Sequence, residues 1–143
     1  MDYRKNKILA IVILFLSTVG FIDATYLAIK KLFGGQIPCY VFSGCDIVNT
    51  SVYSSIFGIP LSLFGVIFYV SVFILMIRFL ETKNNWYLKT IFYLSIFGFL
   101  ISLYLIVIQV FIIKALCLYC IISAIGSTLI FAIFVYSKIK ARF

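Results

Sequence analysis

Four cysteines are the side chains whose type and spacing point to chemistry in this sequence. Cys39 and Cys45 are separated by five residues, and Cys117 and Cys120 form a Cys-x-x-Cys motif. A thiolate attacks a disulfide through a mixed disulfide, so two dithiols that can meet pass electrons between them. The two pairs therefore indicate thiol–disulfide exchange.

The Cys-x-x-Cys pair falls where the last apolar segment is predicted to begin as a helix. Residues at i and i+3 are neighbours on a helix face, so Cys117 and Cys120 can close a small disulfide ring. The positive end of the helix dipole favours a thiolate at Cys117, and Lys114 adds a positive charge close by. The alternative is a pair of structural cysteines, because a thiol also packs well inside a membrane helix.

The first pair lies in the one long polar connection, residues 30–55, which we predict to be a redox loop because of Gly34, Gly35, Pro38 and Gly44. A dithiol there can reach both a soluble partner and the Cys-x-x-Cys pair. A static disulfide is the alternative, and so is a zinc site of four cysteines, although a Cys-x5-Cys loop is wide for one. With no histidine, the ordinary zinc-hydrolase sites and Ser-His-Asp triads are excluded.

Composition indicates an all-α integral membrane protein. Of the 143 residues 65% are hydrophobic and 11% are charged, and the apolar runs exceed the roughly 18 residues typical of a membrane span. The pattern predicts a four-transmembrane-helix bundle, one membrane domain over residues 1–143, with spans near 8–29, 56–79, 90–113 and 115–136. The last two spans form one apolar run, so the chain must reverse near Lys114.

Charge predicts the orientation in the membrane. Three of the twelve Lys and Arg residues, Lys30, Lys31 and Lys114, fall on the predicted cysteine side. The other nine fall on the opposite side: Arg4, Lys5, Lys7, Arg78, Lys83, Lys89, Lys138, Lys140 and Arg142. The positive-inside rule therefore predicts a multi-pass protein of the cytoplasmic membrane with both termini cytoplasmic and both cysteine pairs extracytoplasmic.

The same basic residues could instead indicate nucleic-acid binding or a signal peptide. The net charge of +8 lies in short clusters beside apolar runs, without a basic helix or a binding motif, so we predict no nucleic-acid partner. The basic N-terminus followed by Ile8–Ile22 also resembles a signal peptide, but no convincing cleavage site follows. Beyond Cys45, residues 46–57 are predicted to form a short helix on the membrane surface, starting at Asp46.

The spacing of several motifs resembles the vitamin K epoxide reductase family. The resemblance runs from about Tyr26 through the fourth span. The motifs, in the family's order, are Cys39, Cys45-Asp-Ile-Val-Asn-Thr-Ser51, Phe57-Gly58-Ile59-Pro60, Phe64-Gly-Val-Ile-Phe-Tyr69 and Ala115-Leu-Cys-Leu-Tyr-Cys120. The last span is followed shortly by Phe143, so the chain is expected to resemble prokaryotic, DsbB-like members without a fused thioredoxin-like domain.

The resemblance implies a bundle around a quinone, supplied with electrons by a soluble thioredoxin-like (DsbA-like) protein. It makes Cys39 the thiol that exchanges with this partner and Cys45 the one that then attacks Cys117. Cys120 would be the thiolate beside the quinone. Ser51 matches a family Ser or Thr whose hydroxyl could hydrogen bond a developing charge.

The resemblance also implies a quinone pocket. Its lining would include Tyr53, Phe57, Phe64, Phe68 and Leu105, although any one aromatic could instead contact lipid. Leu61 and Ala124 stand where vertebrate members carry Asn and Tyr, which argues against vitamin K epoxide. A respiratory quinone of the menaquinone or ubiquinone type is the expected acceptor.

The expected function is a membrane thiol–quinone oxidoreductase that reoxidises its partner and so drives disulfide formation. The competing hypothesis is a small four-helix transporter with Asp23 as its coupling carboxylate, because a carboxylate in lipid is costly unless neutralised or paired. Asp23 could equally lie near the interface beside Lys30. A non-enzymatic scaffold is a third possibility, and Gln109 is expected to make an interhelical hydrogen bond.

Overall fold

The protein is a bundle of four long helices. The structure, a computed structural model, describes residues 3–33, 55–114 and 118–141. The helices are α1 Tyr3–Phe33, α2 Leu61–Thr82, α3 Asn85–Val107 and α4 Leu118–Ala141. Each is long and apolar enough to cross a membrane, which confirms the predicted all-α membrane bundle.

The helix bounds differ from the predicted spans at both ends of the chain. α1 covers Tyr3–Phe33 and α4 runs to Ala141, beyond the predicted 8–29 and 115–136. Hydropathy marks only the part of a helix that lies in hydrocarbon, whereas hydrogen bonding continues into the polar flanks. The first and last helices are therefore longer than their predicted spans.

A β-hairpin precedes α2 and delays its start to Leu61. Strand β1, Ser55–Ile56, pairs antiparallel with β2, Ile59–Pro60. Phe57 and Gly58 form the two-residue turn with φ of 53° and 79°, as a type I′ turn requires. The predicted surface helix is therefore wrong over Ser55 to Phe57, where the left-handed turn interrupts any helix. Its remaining residues, 46–54, lie outside the described part of the chain.

The connection between α2 and α3 is a tight turn. Lys83 adopts a left-handed conformation, φ 55°, and its N–H donates to the carbonyl of Phe79 over 2.7 Å. The side chain of Asn84 then accepts a hydrogen bond of 3.0 Å from the N–H of Trp86, which caps α3. These bonds provide hydrogen-bond partners for backbone groups that would otherwise have none at the two helix ends.

A π-helical segment, Ile108–Ile113, continues α3 and ends at Lys114. The left-handed conformation of Lys114, φ 57°, ends the helix without a glycine. Helix α4 then begins at Leu118. Wide π turns of this kind are rare and often occur at functional sites.

The helices pack as antiparallel neighbours in a ring, in which α1 lies between α2 and α4, and α3 lies on their other side. The hydroxyls of Ser102 and Ser127 are in contact, and the ring of Phe99 stacks on that of Phe131 with the centroids 4.7 Å apart. Residue numbers therefore rise along α3 in the direction in which they fall along α4, as in an antiparallel pair. The apolar core lies towards the α2–α3 turn. Its residues there are Ala10, Ile13, Val72, Met76, Phe79, Ile91, Ile130 and Phe134, and the cluster continues towards the other end of the bundle with Ala24, Phe68 and Tyr69.

Glycines allow two aromatic residues of α2 to enter the bundle. The ring of Tyr69, 1% exposed, packs so closely on Gly20 of α1 that a Cβ there would overlap it. A Cβ at Gly98 of α3 would lie 2.8 Å from the ring of Phe68. Small residues at helix crossings permit such close approach in membrane bundles.

We predict that Gly20→Ala destabilises the protein by about 1–3 kcal/mol, because the added methyl group overlaps a buried ring that cannot move aside. Thermal unfolding in detergent measures the change. In a Tyr69→Ala background the same substitution should cost nothing, since the ring is gone. An equal loss of stability in both backgrounds would contradict this account of the packing.

Candidate redox site

Cys120 lies in the first turn of α4 and is half-buried. The residues at i, i+3, i+4 and i+7 from it form one face of the helix: Cys120, Ser123, Ala124 and Ser127. Ala124 and Ser127 are buried, so this face points into the bundle. The thiol is thus carried on the inward-facing side of a membrane helix, near its start.

Five other predicted site residues lie outside the described ranges. They are Cys39, Cys45, Ser51, Tyr53 and Cys117. Their proposed roles rest on the sequence.

Aromatic contacts tie the start of α4 to the end of α1. The ring of Tyr119 lies 5.2 Å from that of Tyr26, centroid to centroid. The ammonium group of Lys30 lies 5.7 Å from the centroid of the Tyr26 ring, within the range of a cation–π interaction. This end of the bundle, which we call the Cys120 end, therefore holds a positive charge near the thiol-bearing turn.

Tyr69 joins α2 to α4 one turn beyond Cys120. Its hydroxyl donates to the carbonyl oxygen of Ser123 over 2.6 Å, and the Ser123 hydroxyl lies 3.3 Å away. A polar contact between membrane helices is worth about 1 kcal/mol. The bond fixes the position of α4, and hence of Cys120, along the bundle axis relative to α2.

A second polar contact joins α3 to α4. The hydroxyls of Ser102 and Ser127 lie 2.5 Å apart. Ser102 is also 2.9 Å from the carbonyl of Gly98, and Ser127 is 3.1 Å from that of Ala124. Because each hydroxyl carries one proton, one serine donates across the gap while the other donates within its own helix.

Asp23 completes this group from α1. It is 8% exposed, and it lies one turn from Gly20, the residue of α1 on which the ring of Tyr69 packs. Every helix thus contributes to a polar layer, defined as Asp23, Tyr69, Ser102, Ser123 and Ser127. Of these, sequence reasoning singled out Asp23 only.

Candidate pocket residues on α2 lie at the Cys120 end. Leu61, Phe64 and Phe68 recur at i, i+3 and i+7 on one side of the helix. Leu61 and Phe68 are buried, whereas Phe64 is 37% exposed. Phe68 packs towards Gly98 of α3, so the row runs from the start of α2 to the α2–α3 interface.

The candidate pocket residues Leu105 of α3 and Ala124 of α4 lie one turn from the contact between Ser102 and Ser127. One turn further towards the Cys120 end, the antiparallel register brings Leu105 level with Ala124. Leu105 is partly buried and Ala124 is buried. The two therefore lie at about the depth of Ser123, within the polar layer.

Phe57 is not brought together with these residues. Its ring, at the tip of the hairpin, is 99% exposed. Gln109 is buried in the π-helical segment, as expected for an amide that faces a neighbouring helix rather than lipid.

Polar residues within the apolar segments are the sequence pattern from which the polar layer could have been predicted. Tyr69 ends the Phe64–Tyr69 motif, and Ser123 and Ser127 are spaced i, i+4 in an apolar helix. Polar residues within a span face the bundle interior by default. Which of them meet depends on the register between helices, which hydropathy does not encode.

A comparison with protein families assigns most of the chain. The family model described as "Vitamin K epoxide reductase family" matches residues 11–135. No curated protein matches the chain significantly. The matched range contains all four cysteines and every residue of the polar layer. The chain therefore belongs to the vitamin K epoxide reductase family of membrane oxidoreductases, which act on a quinone or vitamin K.

Proposed function

We propose that the protein is a membrane thiol–quinone oxidoreductase that reoxidises a soluble thioredoxin-like, DsbA-like protein and reduces a quinone, thereby driving disulfide formation. The observation that carries the proposal is the position of Cys120. Its thiol lies on the inward face of α4, at the end of the bundle that also holds buried apolar residues of α2, α3 and α4. A thiol there can meet an apolar electron acceptor that enters from the bilayer.

The cysteines act as a two-step relay in this proposal. A thiolate of the partner attacks the Cys39–Cys45 disulfide at Cys39, and the released Cys45 attacks Cys117 of the second disulfide. The sulfur of Cys120 is set free beside the quinone, where it reacts as a thiolate. Each exchange breaks one disulfide and forms another, so the partner's two thiols end as a disulfide while two electrons move inwards. Ser51 is proposed to stabilise the charge near the second pair.

The described residues suit a quinone ring. Phe64, Phe68 and Leu105 supply apolar surface, with Tyr53 and Phe57 as further candidates from the sequence. The hydroxyl oxygen of Ser62, beside Leu61, is buried and has no hydrogen-bond partner among the described residues. Such a hydroxyl can donate to a carbonyl oxygen, a role that the side chain of Leu61 cannot fill.

The side chains of Leu61 and Ala124 support a plain quinone as the substrate. Neither side chain has a hydrogen-bond donor, so a substrate that needs two polar anchors at these positions binds poorly. We propose a plain respiratory quinone of the menaquinone or ubiquinone type. The bound quinone would accept the electrons, while the protein orients it and excludes water.

We further propose that the protein is one domain in the cytoplasmic membrane with the Cys120 end outside. The support is charge. Arg78, Lys83 and Lys89 flank the α2–α3 turn, whereas Lys30, Lys31 and Lys114 lie at the Cys120 end. With both termini included, the split is nine to three in favour of the α2–α3 side.

We predict that Cys39→Ala and Cys120→Ala lose different reactions. Cys39→Ala should abolish quinone reduction by a reduced thioredoxin-like protein but retain reduction by dithiothreitol, because a small dithiol reaches the second cysteine pair directly. Cys120→Ala should lose both. Quinone absorbance measures each rate with purified protein in detergent.

Ser95→Ala is the matched control for these variants. Ser95 is buried, and its hydroxyl donates to the carbonyl of Phe92 in its own helix over 2.7 Å, away from the thiols. Both rates should be unchanged. Quinone reduction at the normal rate by Cys120→Ala would overturn the proposed function.

We predict that Phe68→Leu raises the KM for quinone about two- to tenfold, since an aromatic contact is worth about 0.5–1.5 kcal/mol. Phe134→Leu is the control, because Phe134 is also buried but lies near the far end of α4, towards the α2–α3 turn. Steady-state rates over a series of quinone concentrations measure the effect. Equal KM values for the two variants would remove Phe68 from the pocket.

A further inference from the structure

The chain holds few groups that can carry a proton inside the membrane. It has no histidine, and its four acidic residues are Asp2, Asp23, Asp46 and Glu81. Glu81 is exposed at the α2–α3 end, 3.3 Å from Arg78. Within the described part of the chain, Asp23 is the carboxyl that is buried in the bundle. Reduction of a quinone to a quinol consumes two protons, so the site needs a group that can supply them.

Asp23 lies near the turn that carries Cys120. It is three residues before Tyr26, whose ring contacts Tyr119, the residue next to Cys120. It therefore lies about 4.5 Å further into the bundle along α1 than Tyr26. Ser123 is likewise one turn further in than Cys120 on α4. The contact between the two tyrosines thus aligns the two helices so that Asp23 and Ser123 lie at similar depth.

Tyr69 connects the two. Its ring packs on Gly20, one turn from Asp23 on α1, and its hydroxyl donates to the carbonyl oxygen of Ser123 over 2.6 Å. The Ser123 hydroxyl at 3.3 Å is a second neighbour. Hydroxyls both donate and accept, so such a group can pass a proton by exchanging one hydrogen bond for another.

Resting on the proposed function, we propose that Asp23 holds and returns the proton of Cys120 during quinone reduction, and that Tyr69 is the positioning residue that links them. The Cys120 thiol gives its proton to the Asp23 carboxylate through the hydroxyls of Ser123 and Tyr69. The remaining thiolate is the form that reacts. Neutralising the carboxylate also removes a charge that is costly inside the bilayer.

The step balances without another reactant. Cys117 and Cys120 together lose two electrons to the quinone as the sulfur–sulfur bond between them forms, and their two sulfur–hydrogen bonds are lost. The Cys117 thiol and the Asp23 carboxyl release the two protons that complete the quinol. Asp23 returns to the carboxylate and the cysteines to the disulfide, ready for the next pair of electrons from Cys45.

The test is Asp23→Asn, which keeps the shape of the side chain but cannot exchange a proton in this way. Quinone reduction by dithiothreitol should fall about a hundredfold, at the lower end of the effect of a proton-transfer group. Thiol exchange between the partner and the Cys39–Cys45 pair should be unchanged. Glu81→Gln is the matched control and should leave both rates unaffected.

An infrared readout tests the same step without quinone. Chemical oxidation of the reduced protein should change the carboxyl C=O stretching band in the wild type and in Glu81→Gln, but not in Asp23→Asn. Tyr69→Phe keeps the ring but removes the hydroxyl, and it should diminish the band change and slow quinone reduction about tenfold. This variant decides the matter should Asp23→Asn fail to fold.

The outcomes separate this proposal from the proposed function. Wild-type protein that reduces no quinone would overturn the proposed function, while the infrared band would still report whether Asp23 responds to the cysteines. Wild-type rates and an unchanged band difference in Asp23→Asn or Tyr69→Phe would overturn the role of Asp23 and leave the thiol relay standing.

Discussion

The hydrogen bond from the Tyr69 hydroxyl to the carbonyl of Ser123 fixes the geometry on which the site depends. It crosses the bundle from α2 to α4, and so it sets the thiol-bearing turn against the helix that carries Leu61, Phe64 and Phe68. Gly20 makes room for the ring of Tyr69, and Gly126 makes room for its hydroxyl. Lipid competes poorly for a polar group, so a bond that would be weak in water can define a register here.

The bilayer also explains how polar and apolar side chains are divided along the bundle. Lipid is as apolar as leucine, so burial of leucine or phenylalanine between helices gains little hydrophobic free energy, and close packing and hydrogen bonds specify the fold. The polar layer lies near the Cys120 end, whereas Val72, Met76, Ile91 and Ile130 pack around the far half. The apolar cluster also includes Ala24, Phe68 and Tyr69, so the packed core extends up to the polar layer.

The sequence predicted the architecture better than the site. Four spans follow from hydropathy because each helix must satisfy its own backbone in lipid. The start of α2 was missed because Gly58 and Pro60 set a hairpin whose residues, such as Ile56 and Ile59, read as apolar span. Asp23 was recognised from the cost of a charge in lipid, but its neighbour Tyr69 was not, because contacts between distant helices depend on register and on glycine positions.

The central claim is that electrons from the cysteines leave the protein on quinone, and an anaerobic count of thiols and quinol tests it most directly. The protein is fully reduced, freed of reductant, and mixed with excess quinone. The account predicts that quinol appears as thiols disappear, in a ratio of one quinol to two thiols, until both cysteine pairs are oxidised. Thiols that survive incubation with quinone, or that are lost without formation of quinol, would contradict it.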